Sequence, residues 1–375
     1  MIKKFRLISL KLSESDEFDS GYYQFSNELF NTSSKAPYTT LVIGPNGTGK
    51  SRLLKTVLDV FNDLYNYQTT GTANYIFKHY YQLVYSFGND IYEIENKRDL
   101  VLKKNDKELT GISKIELPLK AIAAAYSLYE KFTPKPPIKY AADDERRRTR
   151  YNNDFYEYLG IKSERNYTFS GAYINKAIDL ITEALAKEGF SKDVKHVFDI
   201  LKFQPIIQIS YSSRRSGQLR ELFEGNLTVD KFLDISNRDD VQRVGFNYST
   251  FQRLSKSPRN YLAEVVEAIN EFSKLQDPRK EVSLELIFEE TESQFSFNRK
   301  YKYISLLRSL NLISISEVLV TKKIPRNPNG KTIDLKSMSS GEIQILTSML
   351  ALSSIAKESS LVLIDEPDRK SVERV

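Results

Sequence analysis

The sequence contains no cysteine and only two histidines, His79 and His196. The lack of cysteine excludes disulfide bonds and thiolate metal sites, so no feature calls for an oxidising compartment. With so few histidines, a His-rich metal centre is excluded and a Ser-His-Asp hydrolase is disfavoured. There is also no run of eighteen apolar residues and no apolar signal-peptide core at the N-terminus. We therefore expect a cytoplasmic protein that does not cross a membrane.

Charge is only mildly unbalanced, with a formal net charge of +6 over 375 residues. That balance permits contact with DNA or RNA without requiring it, because positive charge also keeps a surface soluble. The basic clusters Arg146–Arg150, Arg214-Arg215 and Lys322-Lys323-Arg326 are candidates for binding phosphates. Such clusters are also typical of a solvated surface, and the sequence leaves both interpretations open.

A complete G-x-x-x-x-G-K-[ST] motif follows a short apolar run, Tyr38 to Ile43, and precedes apolar residues at helical spacing. The motif consists of Gly44, Pro45, Asn46, Gly47, Thr48, Gly49, Lys50 and Ser51, and Arg52 follows it. The order strand, glycine loop and helix turns backbone amides and the helix N-terminus toward phosphate oxygens. We predict an ATP site at which Lys50 reaches the β- and γ-phosphates and Ser51 binds Mg²⁺.

An apolar strand, Leu361 to Ile364, ends in the carboxylates Asp365 and Glu366. A buried parallel strand has this composition, and ligands bind at the carboxyl end of such strands. We predict that Asp365 holds Mg²⁺, directly or through water, and that Glu366 polarises the attacking water. Lys50 and Glu366 are thus the candidate catalytic residues.

The residues Ser339, Ser340, Gly341 and Glu342 precede a helix whose inward side is expected to include Ile345, Leu346 and Met349. A serine hydroxyl, a glycine and free helix amides can clamp a phosphate. The same tetrapeptide is typical of an ordinary helix N-cap. Its position, one helix before the acidic strand, favours the clamp.

Three motifs in this order carry a resemblance to the ATP-binding cassette superfamily. Met338-Ser339-Ser340-Gly341-Glu342 resembles its LSGGQ signature, and the glycine loop and Ile364-Asp365-Glu366-Pro367 resemble its Walker A and Walker B motifs. Lys50 and Ser339 are separated by most of the chain, and in this spacing the chain resembles soluble bacterial ATPases grouped with the SMC, RecF and OLD families. Many members of this group serve in phage defence. The same spacing disfavours a transporter motor.

The resemblance implies an ATP-switched homodimer, in which Ser339 and Gly341 of one copy clamp the ATP bound to the other. It also implies an output on a nuclease or other effector, with DNA or RNA as a possible partner. The alternative is a nucleotide-gated scaffold that binds a protein partner and turns over little or no ATP. None of Gln204, Gln208 and Gln218 is assigned to the superfamily's Q-loop.

The expected fold is α/β, a P-loop NTPase of ABC-ATPase type. It has a mixed sheet, an antiparallel β subdomain and a helical insertion. The predicted divisions are an ATP-binding lobe at 1–132, a mainly helical insertion at 133–280 and a signature and Walker B lobe at 281–367. A hairpin is predicted around Asn329-Gly330.

The residues after Pro367 depart from the pattern that the resemblance implies. Relatives continue with a dimer loop, called the D-loop, another strand and a switch histidine. Here Asp368 to Val375 are polar, and both histidines precede the acidic strand. We therefore expect 368–375 to be a truncated or non-native tail. We also expect this stretch of chain alone to fold and hydrolyse ATP poorly.

Overall fold

The computed structural model divides into two compact units. The first contains Met1–Phe169 with Ala356–Val375, and the second contains Ser170–Ile355. The structure describes residues 4–13, 20–26, 38–45, 47–71, 80–97, 99–125, 131–134, 151, 153–160, 170–186, 194–213, 219–238, 251, 254–276, 281–287 and 295–365. Within these ranges, no helix is long and apolar enough to cross a bilayer.

The helices and strands alternate irregularly along the chain. The strands are β1 (Phe5–Leu12), β2 (Gly21–Gln24), β3 (Tyr81–Phe87), β4 (Asp90–Asn96), β5 (Leu100–Lys104), β6 (Lys107–Glu108), β7 (Ala121–Ala125), β8 (Tyr156–Gly160), β9 (Phe203–Ser213), β10 (Glu281–Ile287), β11 (Ile313–Ile324), β12 (Asn327–Asp334) and β13 (Leu361–Asp365). The helices are α1 (Lys50–Thr70), α2 (Ser170–Ala186), α3 (Val194–Leu201), α4 (Val229–Ser236), α5 (Arg259–Lys274), α6 (Phe295–Ser309) and α7 (Ser340–Ile355). The fold is mixed α/β, as predicted.

The first unit contains an antiparallel sheet in the order β2-β1-β3-β4-β5-β6. Alternate side chains of β3 are buried, which matches the period of two in its sequence. The turn between β5 and β6 places Asn105 and Asp106 at φ 49° and 64°, a left-handed conformation that these residues tolerate. Gly88 lies in the corresponding turn between β3 and β4 at φ 66°.

A second sheet of the first unit is parallel, in the order β13-β7-β8. Leu361 pairs with Ala121 and Asp365 with Ala125, so the carboxyl ends of the strands lie at one edge. The five residues of β7 are all buried and four of them are alanine, which suits a strand covered on both faces. Helix α1 packs on β7 and β13. This packing brings the start of α1 to the end of β13.

The predicted strand at Tyr38 to Ile43 is wrong. These residues form no strand, and Leu41 and Ile43 are 73% and 83% exposed. The hydroxyls of Tyr38 and Thr40 instead donate to the carbonyl of Phe25, at 3.1 and 2.7 Å. Side-chain hydrogen bonds thus hold this segment where a ladder of backbone bonds was expected.

The second unit contains an antiparallel sheet in the order β10-β9-β11-β12. Every second residue of β9 is buried, and Phe203, Ile207 and Ile209 lie in a core shared with the helices of this unit. The prediction of a mainly helical insertion at 133–280 missed β8 and β9. The signal was present, because residues 203–213 alternate with a period of two.

The hairpin of β11 and β12 was predicted with its turn at the wrong residues. Ile324 pairs with Asn327, so the turn is Pro325-Arg326, with Arg326 at φ 69°. Gly330 lies inside β12 at φ 64°, opposite an irregularity in the register of β11. A Cβ at Gly330 would approach the carbonyl oxygen of Lys322 to 2.5 Å, so this glycine permits close pairing and does not make the turn.

Candidate functional site

The glycine loop reaches α1 through two residues in the left-handed region. Gly47 has φ 86°, and Gly49, the N-cap of α1, has φ 89°. A Cβ at either position would meet no atom within 4 Å, so the space above both glycines is open. Glycine adopts this conformation without steric cost. The result is an accessible backbone turn at the positive end of a 21-residue helix, which favours an anion.

Side chains close the loop on itself. The Lys50 ammonium donates to the carbonyl oxygens of Gly44 and Pro45, at 2.7 and 2.8 Å. The Thr48 hydroxyl donates to the same Pro45 oxygen at 2.9 Å. Lys50 therefore lies across the mouth of the loop, and to reach a phosphate it would exchange carbonyl partners for phosphate oxygens.

Ser51 and Asp365 lie together although they are 314 positions apart. The Ser51 hydroxyl donates to Oδ1 of Asp365 at 3.0 Å. Ser51 is in the first turn of α1, and Asp365 is the last residue of β13 and only 5% exposed. A hydroxyl and a carboxylate thus converge beside the glycine loop.

This oxygen pair fits a magnesium ion. Mg²⁺ prefers oxygen ligands, keeps several waters and is often held by one or two carboxylates together with substrate phosphates. Across the described ranges, no group of three or more His, Asp or Glu side chains forms a metal cluster. Ser51 and Asp365 are the residues that would hold the ion, with phosphate oxygens completing its coordination.

A polar network one turn further along α1 was not anticipated from the sequence. Lys55 contacts Asp59 and Tyr151, and the Tyr151 hydroxyl also donates to the buried carboxylate of Asp59. Burial lowers the pKa of Lys55, but Asp59 and Tyr151 outweigh it, so the net pKa is raised. These hydrogen bonds connect α1 to Tyr151, which precedes β8 in the sequence. Only the i, i+4 spacing of Lys55 and Asp59 signals this network.

The start of α7 forms a reciprocal helix cap. The Glu342 amide donates to the Ser339 hydroxyl at 3.3 Å, and the Ser339 amide donates to Oε2 of Glu342 at 3.3 Å. The Ser339 hydroxyl also donates to Oε2 at 2.9 Å, and Lys322 lies 3.1 Å from Oε1. Lys322 and Ser339 together lower the pKa of Glu342. These side chains serve the helix cap, and Gly341 beside them is exposed.

The predicted inward face of α7 is only partly right. Leu346 is buried, but Ile345 and Met349 are each 47% exposed. The buried side instead runs through Leu346, Leu350 and Ala351. The prediction took neighbouring apolar residues as one face, whereas the helix period separates Ile345 from Leu346.

Some of the remaining predicted residues are described by the structure, and the others lie outside the described ranges. Arg52 is exposed in the first turn of α1, and Gln204 and Gln208 lie in β9, where they donate to Pro328 and Glu285. Of the described basic cluster, Lys322 pairs with Glu342 and Lys323 pairs with Asp199 at 2.8 Å. Asn46, Glu366, Ser340's side chain, Gln218, Arg146–Arg150, Arg214-Arg215 and 368–375 lie outside the described residues.

No protein-family model matches the sequence, and no curated protein matches it. Among solved structures, the chain is similar to the recombination mediator protein RecF with ATPrS and with ATP, at 14% sequence identity in each case. The first match covers 97% of this chain and 86% of that chain with a TM-score of 0.25, and the second covers 98% and 86% with 0.24.

Proposed function

We propose that this chain binds ATP with Mg²⁺ and hydrolyses it at the junction of the glycine loop, α1 and β13. One observation carries the proposal. The Ser51 hydroxyl and the Asp365 carboxylate meet at 3.0 Å, directly beside a glycine turn at a helix N-terminus. A phosphate-binding turn and a hard-oxygen ion site at the same place suit a magnesium-bound triphosphate.

The loop and helix would hold the phosphates. A Cβ at Gly47 or Gly49 would meet no atom within 4 Å, so a ligand can approach the backbone there, and the helix N-terminus favours negative charge. Lys50 adds a full positive charge and already lies against Gly44 and Pro45 at the mouth of the loop. Its ammonium would release these carbonyls and donate to phosphate oxygens, which are stronger acceptors because they are charged.

Ser51 and Asp365 would orient the metal side of the substrate. A bound Mg²⁺ neutralises charge on the phosphate oxygens. Asp365 is buried at the end of β13, so its carboxylate is held in place by the strand. Glu366 follows it in the sequence, and we assign to Glu366 the polarisation of the attacking water.

Phosphate release from ATP tests this proposal. The wild-type chain should release phosphate slowly but measurably in the presence of Mg²⁺. Lys50→Ala should lower ATP affinity and turnover by about tenfold or more, since it removes charged hydrogen bonds. Lys107→Ala, an exposed lysine on β6, serves as the matched control and should behave like wild type. Equal turnover in all three chains would overturn the assignment. Tight ATP binding without turnover would favour the scaffold function instead.

A dimer that encloses ATP between two copies is the second part of the proposal. It is supported by the exposure of Ser339 and Gly341 at the start of α7. To reach a phosphate, Ser339 would have to release Glu342. Light scattering on Glu366→Gln with ATP should give twice the mass of the chain. A monomer under those conditions would exclude the clamp.

The third part of the proposal is that the chain acts on nucleic acid. The two described lysines of the basic cluster give this part little support. Lys322 and Lys323 are each paired with a carboxylate, which reduces the charge they offer to a phosphate backbone. ATPase assays with and without DNA, and filter binding across a salt series, test this part. DNA binding with a steep salt dependence supports it, and ATP turnover indifferent to DNA contradicts it.

A further inference from the structure

A cavity of about 300 Å³ lies between α5 and α6 in the second unit. Its residues are Glu267, Glu271, Phe272, Leu275, Arg299, Lys300, Tyr303, Ile304 and Leu307. Phe272, Ile304 and Leu307 are buried and form an apolar floor. The charged side chains belong to the same lining. A mostly apolar cavity with a few polar groups is typical of a small-molecule site, and this volume is at the small end of the range.

Most charges around the cavity are already compensated. Arg299 pairs with Glu267, and its Nε donates to the Tyr303 hydroxyl at 2.7 Å. Glu271 pairs with Lys274 at 2.9 Å. Both carboxylates of the lining therefore have a cation, and neither is left to balance another positive charge.

Lys300 differs from its neighbours. It is half-buried, and within the described part of the chain no carboxylate forms an ion pair with its ammonium. Burial lowers the pKa of Lys300, and no neighbouring charge offsets this effect. A buried charge is costly unless it is paired, so an anion in the cavity would relieve that cost.

We propose that this cavity binds a small amphipathic carboxylate, whose apolar body packs on Phe272, Ile304 and Leu307 and whose carboxylate pairs with Lys300. The two glutamates of the lining favour a monoanion over a doubly charged phosphate, which they would repel more strongly. Every residue of the site belongs to the second unit, so the proposal does not rest on ATP binding in the first.

Octanoate, octan-1-ol and acetate are suitable probes for the wild-type chain, with binding followed by ligand-observed NMR. Octanoate should bind most tightly, because it combines the apolar body with the charge. Octan-1-ol has the body alone and acetate the charge alone, so both should bind more weakly. No octanoate binding, or octan-1-ol binding as tightly as octanoate, would overturn the proposal. This comparison needs no variant.

Lys300→Met removes the charge while keeping most of the side-chain length. It should weaken octanoate binding by about tenfold or more and leave octan-1-ol binding unchanged. Lys302→Met is the matched control, because Lys302 lies on the same helix, pairs with Glu264 and is outside the cavity. It should bind octanoate like wild type. Equal octanoate affinity in wild type and Lys300→Met would assign any binding to apolar contact alone.

Discussion

Gly47 and Gly49 hold the glycine-loop backbone at positive φ, and Ser51 and Asp365 place two oxygens beside it. The glycine motif predicted a tight backbone turn at these positions, because glycine adopts positive φ without strain. The contact between Ser51 and Asp365 was predicted only indirectly. It depends on how α1 packs on β13, and no local pattern encodes that packing.

Ser51→Ala should lower both the stability of the fold and the Mg²⁺-dependent affinity for ATP. Loss of the hydrogen bond to buried Asp365 should lower the free energy of unfolding by about 1 kcal/mol. ATP affinity should fall in the presence of Mg²⁺ and change little in its absence, because the hydroxyl is proposed to act through the ion. Urea unfolding and fluorescent-ATP titration with and without Mg²⁺ measure the two effects. Ser51→Thr retains a hydroxyl and should restore both, and a loss equal with and without Mg²⁺ would contradict the metal role.

At the scale of elements, the sequence patterns predicted which helices and strands form better than they predicted where the turns lie. The helix after the glycine loop, the helix after Ser340 and the strand at Leu361 to Ile364 all appear where the sequence pattern predicted them. The turn of β11 and β12 was misplaced because Asn329-Gly330 is a strong hairpin signal in isolation. The position of the turn depends on the register in which β11 pairs with β9 and β12. A short stretch of sequence does not reveal this register.

Gly330→Ala tests this account of the hairpin. The new Cβ would clash with the Lys322 carbonyl oxygen, and φ is 64°, so we expect a loss of about 1–3 kcal/mol in unfolding free energy. Gly341→Ala is the matched control, since a Cβ there meets nothing within 4 Å and the position is helical. Urea unfolding compares them. A smaller loss at Gly330 than at Gly341 would show that β12 does not pair as described.

Glu342→Gln probes the cap of α7 by pH. The pKa of Glu342 is lowered in the folded chain by Lys322 and Ser339, so its charge adds stability above its unfolded pKa. That contribution disappears as pH falls through the lowered folded pKa. The wild type should be more stable than Glu342→Gln by a few tenths of a kcal/mol at neutral pH. The two stabilities should converge as the pH falls below the ordinary range of a glutamate pKa. A difference that does not vary with pH would exclude the charge as its source.

At the scale of the whole molecule, the buried apolar residues of the described ranges form two cores. Leu58 and Tyr85 belong to the core of the first unit, and Ile209 and Leu307 to that of the second. The α/β class could be predicted from alternating helical and strand periods. The return of Ala356–Val375 to the first unit required the pairing of β13 with β7, which joins residues far apart in sequence. The divisions proposed at 132, 280 and 367 stay predictions.

Hydrogen exchange should report nucleotide binding in the first unit. With ATP and Mg²⁺, amides in residues 47–57 and 361–365 should exchange more slowly, since the loop and helix start would be held against phosphates. Strand β9 of the second unit should keep its rates at concentrations that leave the chain monomeric. Lys50→Ala should show less protection than wild type at the same ATP concentration. Protection confined to the second unit would place the nucleotide elsewhere.

The most direct test of the central claim is equilibrium dialysis of ATP against wild type and Asp365→Asn, with and without Mg²⁺. The account predicts that Mg²⁺ strengthens ATP binding to the wild type and has little effect on Asp365→Asn, because the carboxylate beside Ser51 holds the ion. The contrary result is no ATP binding by the wild type, or the same Mg²⁺ effect in both chains.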